Sequence, residues 1–194
     1  MGQEEVASLP DTPAKLKPEL ARAYLEEDLA KVRDQKMAEQ YEWKLEPDFE
    51  DLKLQADLWS FDERGAKLDD YHAVLDMSYY RTWPPGVTFV NPETMKFDPV
   101  KDLMWLPKVA QKPEGLDIQF HPNYGYPNGV AGQLVCNSMV LEYYESSHNP
   151  TPVQRWNPST NNFGTTLHTL QIVLRKPYYG GPSEQRVQVV EVSK

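Results

Sequence analysis

Residues 52–90 read LKLQADLWSFDERGAKLDDYHAVLDMSYYRTWPPGVTFV, and they decide the fold class. Leu52, Leu54, Ala56 and Leu58 alternate with Lys53, Gln55, Asp57 and Trp59. Tyr71, Ala73, Leu75, Met77 and Tyr79 alternate in the same way with His72, Val74, Asp76 and Ser78. A period of two sends successive side chains to opposite faces, so each run reads as a half-buried antiparallel strand. The residues from Asp62 to Gly65 make the turn between them. Trp83-Pro84-Pro85-Gly86 stops the sheet, because proline donates no ladder hydrogen bond, and Val87-Thr88-Phe89-Val90 resumes it. A three-stranded meander is expected.

Upstream, Pro18 suits the first turn of a helix and Glu19 suits the positive end of its dipole. Ala21, Leu25, Leu29 and Val32 recur at helical spacing with Tyr24 beside them. This helix is expected to run to Trp43 or Lys44, short of Pro47. A helix followed by a meander makes the class α+β. Residues 1–17 read as a flexible lead-in, and residues 18–194 as a single domain. Downstream, residues 91–115 form an irregular, proline-punctuated insert whose Met104, Trp105 and Leu106 should pack on the body. Residues 116–120 read as a short strand entering His121-Pro122-Asn123. A glycine-rich loop follows, and Gln133-Leu134-Val135 leads into Cys136. Residues 145–154 are a candidate flap. Trp156-Asn157-Pro158 precedes a helix expected over 165–176, with Leu167, Leu170, Ile172, Val173 and Leu174 on its apolar face and Pro177 ending it. Gly180-Gly181-Pro182 reads as a break, and residues 186–192 as a last strand.

Composition narrows the function classes. The chain has 194 residues, 40% of them hydrophobic, enough for a packed core. A net charge of −9 argues against nucleic acid or an anionic membrane surface as the main partner, since both need clustered Lys and Arg. The single cysteine excludes an internal disulfide framework and a multi-thiolate zinc site. No carboxylate spacing suggests a metal, no glycine loop suggests a bound nucleotide, and no cofactor is called for. The opening MGQEEVASLPD is acidic and lacks an apolar segment, so a cytoplasmic protein is expected.

The order of these landmarks resembles the ubiquitin-conjugating (E2) enzymes. That family carries a first helix, a meander, and a Tyr-Pro-x-x-Pro-Pro-x-Val-x-Phe segment. A His-Pro-Asn triplet, a catalytic cysteine, a Trp-x-Pro and a leucine-spaced helix follow. Here the segment is Tyr80-Arg81-Thr82-Trp83-Pro84-Pro85-Gly86-Val87-Thr88-Phe89, with Arg81 where the family has proline. His121-Pro122-Asn123, Gly132-Gln133-Leu134-Val135-Cys136 and Trp156-Asn157-Pro158 supply the others, and the resemblance runs from about Pro18 to Pro177. The 91–115 insert, the long spacing from Asn123 to Cys136, the extended loop before Trp156 and the loss of the family's two C-terminal helices mark a divergent or prokaryotic kind.

The resemblance implies an E2 fold and acyl transfer through a thioester on Cys136. The partners would be an E1-like activating enzyme, a ubiquitin-like protein, and a target lysine or ligase. Asn123 would either donate to the oxyanion or brace its loop, and His121 would order the turn. Glu142 and Glu145 are possible acidic helpers for the incoming lysine. Read alone, a lone cysteine is often an inert buried hydrophobe. His148 and His168 read as bland residues of a loop and a helix face. Two other functions remain open: a non-catalytic E2-fold module that binds a ubiquitin-like protein, and a cysteine hydrolase. The hydrolase would need His121 or His148 at the thiol, with a third group to orient the imidazole.

Overall fold

A computed structural model describes residues 12–146 and 148–184. The fold is mixed α+β, built on a four-stranded antiparallel sheet in the order β1-β2-β3-β4. These strands are β1 (Lys44–Asp48), β2 (Lys53–Phe61), β3 (Lys67–Asp76) and β4 (Gly86–Val90). In the ladder Leu54 stands opposite Leu75, Ala56 opposite Ala73, and Ala73 opposite Phe89. All of these side chains are fully buried. The alternating pattern thus sets the register, because a one-residue slip would turn the apolar set to the other face.

The meander has one more strand than expected. The added strand, β1, is short and polar, and it carries Pro47 opposite Leu54. Only an edge strand tolerates proline there, because its missing N–H can point away from the ladder. The first helix is correspondingly shorter. Helix α1 (Pro18–Asp34) ends two residues after Val32, the last of its buried stripe. Lys36 then turns left-handed, α2 (Met37–Tyr41) makes a single turn, and Glu42 is left-handed again. Beyond Val32 the stripe has only Gln35, Lys36, Glu39 and Gln40 to offer, so a continuous helix would bury nothing. The break instead drops Trp43 into the core, where its indole N–H donates to Gln171 at 2.9 Å.

The strand does not end at the triplet. The triplet lies inside β6 (Gln119–Gly125), which forms a hairpin with β7 (Ala131–Cys136). Between His121 and Tyr124 the register slips by one residue. Pro122 and Asn123 occupy that bulge, where an absent N–H costs no ladder bond. The insert carries β5 (Pro107–Val109) and a 3₁₀ turn, Leu103–Trp105, followed by the buried Leu106. Past Cys136 come α3 (Leu141–Glu145) and α4 (Phe163–Val173). Helix α4 starts two residues earlier than expected because Asn162 and Thr165 form a reciprocal capping box. It contacts both α1 and β2.

After α4 the expected break is a strand, β8 (Tyr179–Pro182), paired with β5. Gly180 permits the close approach, since a Cβ there would lie 3.0 Å from the Lys108 carbonyl oxygen. The strand expected over 186–192 lies outside the described residues. So do residues 1–11 of the lead-in, whose end is docked: the Leu16 N–H donates to Ser78 O at 2.9 Å. Among the described residues no helix is long and apolar enough to cross a membrane.

Among the described residues, side chains and not a fifth strand close the β4 edge. The Gln133 amide accepts from Phe89 N–H at 2.7 Å and donates to Phe89 O at 3.1 Å. The Glu142 carboxyl accepts from Val87 N–H at 3.1 Å. An exposed strand edge would otherwise invite pairing with another chain. These contacts also fix β7 and α3, and therefore Cys136, against the sheet.

Candidate functional site

Cys136 ends β7 and is half-buried. The chain turns sharply behind it. The Asn137 side chain donates to Asp117 O at 2.8 Å and accepts from Met139 N–H at 2.9 Å. Leu141 N–H then donates to Pro85 O at 3.1 Å and starts α3 against the Pro84-Pro85 segment. That path returns the following loop to the thiol. His148 Nε2 lies 3.7 Å from Cys136 Sγ, and His148 Nδ1 lies 2.6 Å from Ser146 Oγ. The imidazole stacks on Tyr143, with ring centroids 4.8 Å apart. The loop is held at both ends. The Tyr124 hydroxyl contacts Ser146 O at 3.4 Å, and the Ser138 hydroxyl donates to Gln154 O.

Burial pushes the Cys136 thiol above its ordinary value, with the Asp117 carboxylate adding to the rise and Lys112 opposing it. The resting sulfur is therefore a thiol, and it needs a base before it can attack an acyl carbon. The imidazole is the group within reach. Beside the pair, a cleft of 320 Å³ is lined by Asp117, Asn137, Tyr143, Gln154 and Thr165, among others.

The remaining sequence candidates fall elsewhere. Cys136 pairs with Gln119 across the hairpin. Asn123 is four residues further along β6 and exposed, roughly 13 Å away at 3.3 Å per residue. The structure does not bring it to the thiol. His121 faces Leu134 in the ladder and packs on Tyr124, with centroids 5.9 Å apart. The structure thus pairs Cys136 with His148, read from sequence as a bland loop residue and, under the hydrolase reading alone, as a candidate partner of the thiol. Ser146 was not singled out at all. The Ser146-x-His148 spacing was present in the sequence, but only the fold of the loop gives it meaning.

Of the two acidic helpers considered, Glu142 is engaged at the sheet edge. Burial, helped by the Glu145 and Asp76 carboxylates, pushes its carboxyl up to about 8. The folded protein therefore holds a proton on Glu142 that the unfolded chain releases near pH 4.5. Stability from this group is complete below that pH and is lost as pH rises through about 8. Glu142→Gln keeps an acceptor for Val87 N–H and removes the titration. It is expected to flatten the fall in stability over that window and to exceed wild type at pH 9 by on the order of 3 kcal/mol, read by urea unfolding.

The Tyr80 and Trp156 segments meet in the folded chain. Trp156 is buried; its indole N–H donates to Arg81 O at 3.0 Å, and Arg81 Nε donates to Pro158 O at 2.9 Å. No family model, curated protein or solved structure matches the chain.

Proposed function

We propose that this protein is a ubiquitin-like-protein conjugating enzyme, of the divergent or prokaryotic E2 kind, that carries its acyl group as a thioester on Cys136. The observation that carries the proposal is the half-buried thiol 3.7 Å from the His148 imidazole. The first step begins with the S–H proton passing to Nε2. The sulfur attacks the thioester carbonyl of the charged activating enzyme, whose thiolate leaves and takes that proton from His148. In the second step an acceptor amine attacks the Cys136 thioester and gives its proton to His148, and the departing Cys136 thiolate takes that proton in turn. Exchange between thioesters is nearly isoenergetic, which suits a thiol and not a hydroxyl. Asn123, which the resemblance casts as oxyanion donor or loop brace, lies four residues along β6 from Gln119, the residue opposite Cys136.

Support for the family assignment comes from the order of elements. A first helix, an antiparallel meander, the Tyr80–Phe89 segment, the triplet, the cysteine, Trp156 and a helix follow one another along the chain, and the Trp156 segment docks on the Tyr80 segment. One observation favours a second reading, a cysteine hydrolase: a thiol, an imidazole and a hydroxyl linked in sequence by close contacts. ATP separates the two. Conjugation gives a reductant-labile adduct only with an activating enzyme, a ubiquitin-like protein and ATP. A hydrolase cleaves a ubiquitin-like conjugate without them. A wild type that only binds the ubiquitin-like protein, and forms no adduct, is the non-catalytic module. His148→Gln removes the base and is expected to slow adduct formation at pH 7 by on the order of 10²-fold, measured by quenched flow on non-reducing gels.

A further inference from the structure

We infer that Ser146 is a positioning residue that locks His148 in the Nδ1–H tautomer, leaving the Nε2 lone pair facing the Cys136 thiol. The inference rests on the acyl-transfer reading for its purpose, but not for its geometry. Ser146 is 4% exposed, and its hydroxyl has two partners, Tyr143 O at 2.8 Å and His148 Nδ1 at 2.6 Å. A hydroxyl has one proton. The Tyr143 carbonyl can only accept, so that proton belongs to it. The hydroxyl oxygen must then accept from Nδ1, which therefore carries hydrogen. The opposite arrangement would give the Ser146 proton to Nδ1 and set two oxygen lone pairs against each other at the carbonyl. It would also place an N–H, not a base, against the sulfur.

The rest of the neighbourhood supports this assignment. Tyr143 stacks on the imidazole with an interplanar angle of 29°, which limits ring rotation. The Tyr124 hydroxyl holds the Ser146 carbonyl, so the hydroxyl and the ring share one anchored segment. Ser146 thereby does for His148 what a carboxylate or amide does in other thiol–imidazole sites: it chooses which nitrogen is free. The charges that act on the Cys136 thiol are those of Asp117 and Lys112.

The test needs neither an activating enzyme nor a ubiquitin-like protein. Two-bond ¹⁵N–¹H correlation spectra of imidazole-labelled protein resolve the 4 histidines, and the His148→Gln spectrum assigns the relevant one. At pH 8 wild-type His148 is expected to be Nδ1-protonated. In Ser146→Ala it should shift toward the Nε2–H form, and iodoacetamide alkylation of Cys136 at pH 7 should slow about tenfold. Ser146→Thr, which keeps the hydroxyl, should restore both. Nε2-protonated His148 in the wild type overturns the inference even if Ser146→Ala fails to fold, as does an unchanged tautomer in that variant. If the tautomer behaves as expected but no thioester forms with ATP, the proposed function fails and the role of Ser146 stands.

Discussion

On the proposed function, Cys136→Ala is expected to eliminate adduct formation, a fall of about 10⁶-fold to the background rate, while the protein stays folded. The expected loss is large because the proposal makes this sulfur the atom that carries the acyl group, and no other thiol exists in the chain to replace it. The fold tolerates the change because Cys136 is half-buried at a strand end. Removing its sulfur shifts the unfolding midpoint by the equivalent of about 1 kcal/mol or less. Cys136→Ser sharpens the result. A serine hydroxyl accepts the acyl group slowly, and the resulting oxyester survives reductant but not alkali. The two variants together separate a covalent role from a structural one: a structural cysteine would lose stability in the alanine variant and would form no oxyester in the serine variant.

Tyr80→Phe is expected to destabilise the fold by about 3–5 kcal/mol, a large part of the roughly 5–15 kcal/mol that holds a domain together. Tyr80 and Asp28 are both fully buried. The phenol donates to the Asp28 carboxylate and accepts from Phe163 N–H at 3.0 Å. One oxygen thus joins α1, the segment after β3 and the first residue of α4. Burial and the Asp28 charge push the phenol far above its ordinary value, so it remains a donor at every pH the protein meets. Removing the oxygen leaves part of a buried carboxylate and one helix-terminal N–H without their partner. Arg81 Nε, 3.7 Å from Asp28, and Lys31, 3.1 Å from it, keep the charge from being wholly unpaired. Thermal unfolding should show a midpoint lower by roughly 10 °C. A shift of under 3 °C would mean that the network is not what joins these elements.

The sequence disclosed the parts of the fold that repeat a period. Leu54, Ala56, Leu58, Tyr71, Ala73 and Leu75 are buried as their alternation requires, and Ala21, Leu25, Leu29 and Val32 as their helical spacing requires. Strand β1 was hidden because an edge strand buries little and so has little pattern, and because Pro47 read as the limit of a longer first helix. Strand β8 was hidden because Gly180-Gly181-Pro182 is locally a breaker. Its partner lies about seventy residues upstream in β5, and only the closed fold brings the two together. The triplet misled for a similar reason: proline in a bulge and proline in a turn have the same local signature.

The site was half legible. A single cysteine after a hydrophobic strand drew attention by itself. His148 entered only as one of two histidines a hydrolase could use, because a histidine in a polar loop has no periodicity to set it apart. Its role depends on the Asn137 turn, on α3 against Pro85 and on the return of the loop, three steps of geometry that no spacing rule contains. Asn123 shows the converse. Its identity matched a family landmark, but the hairpin register, fixed by Phe120 opposite Val135 and His121 opposite Leu134, carries it away from the sulfur.

The most direct measurement is peptide mapping of the charged protein. Wild type is incubated with an activating enzyme, a ubiquitin-like protein and ATP, quenched in acid without reductant, digested, and analysed by mass spectrometry. The account predicts the ubiquitin-like C-terminus attached to the peptide that contains Cys136, released by hydroxylamine and absent without ATP. An acyl group found only on lysine, or a Cys136 peptide that stays unmodified while acyl transfer proceeds, would contradict it.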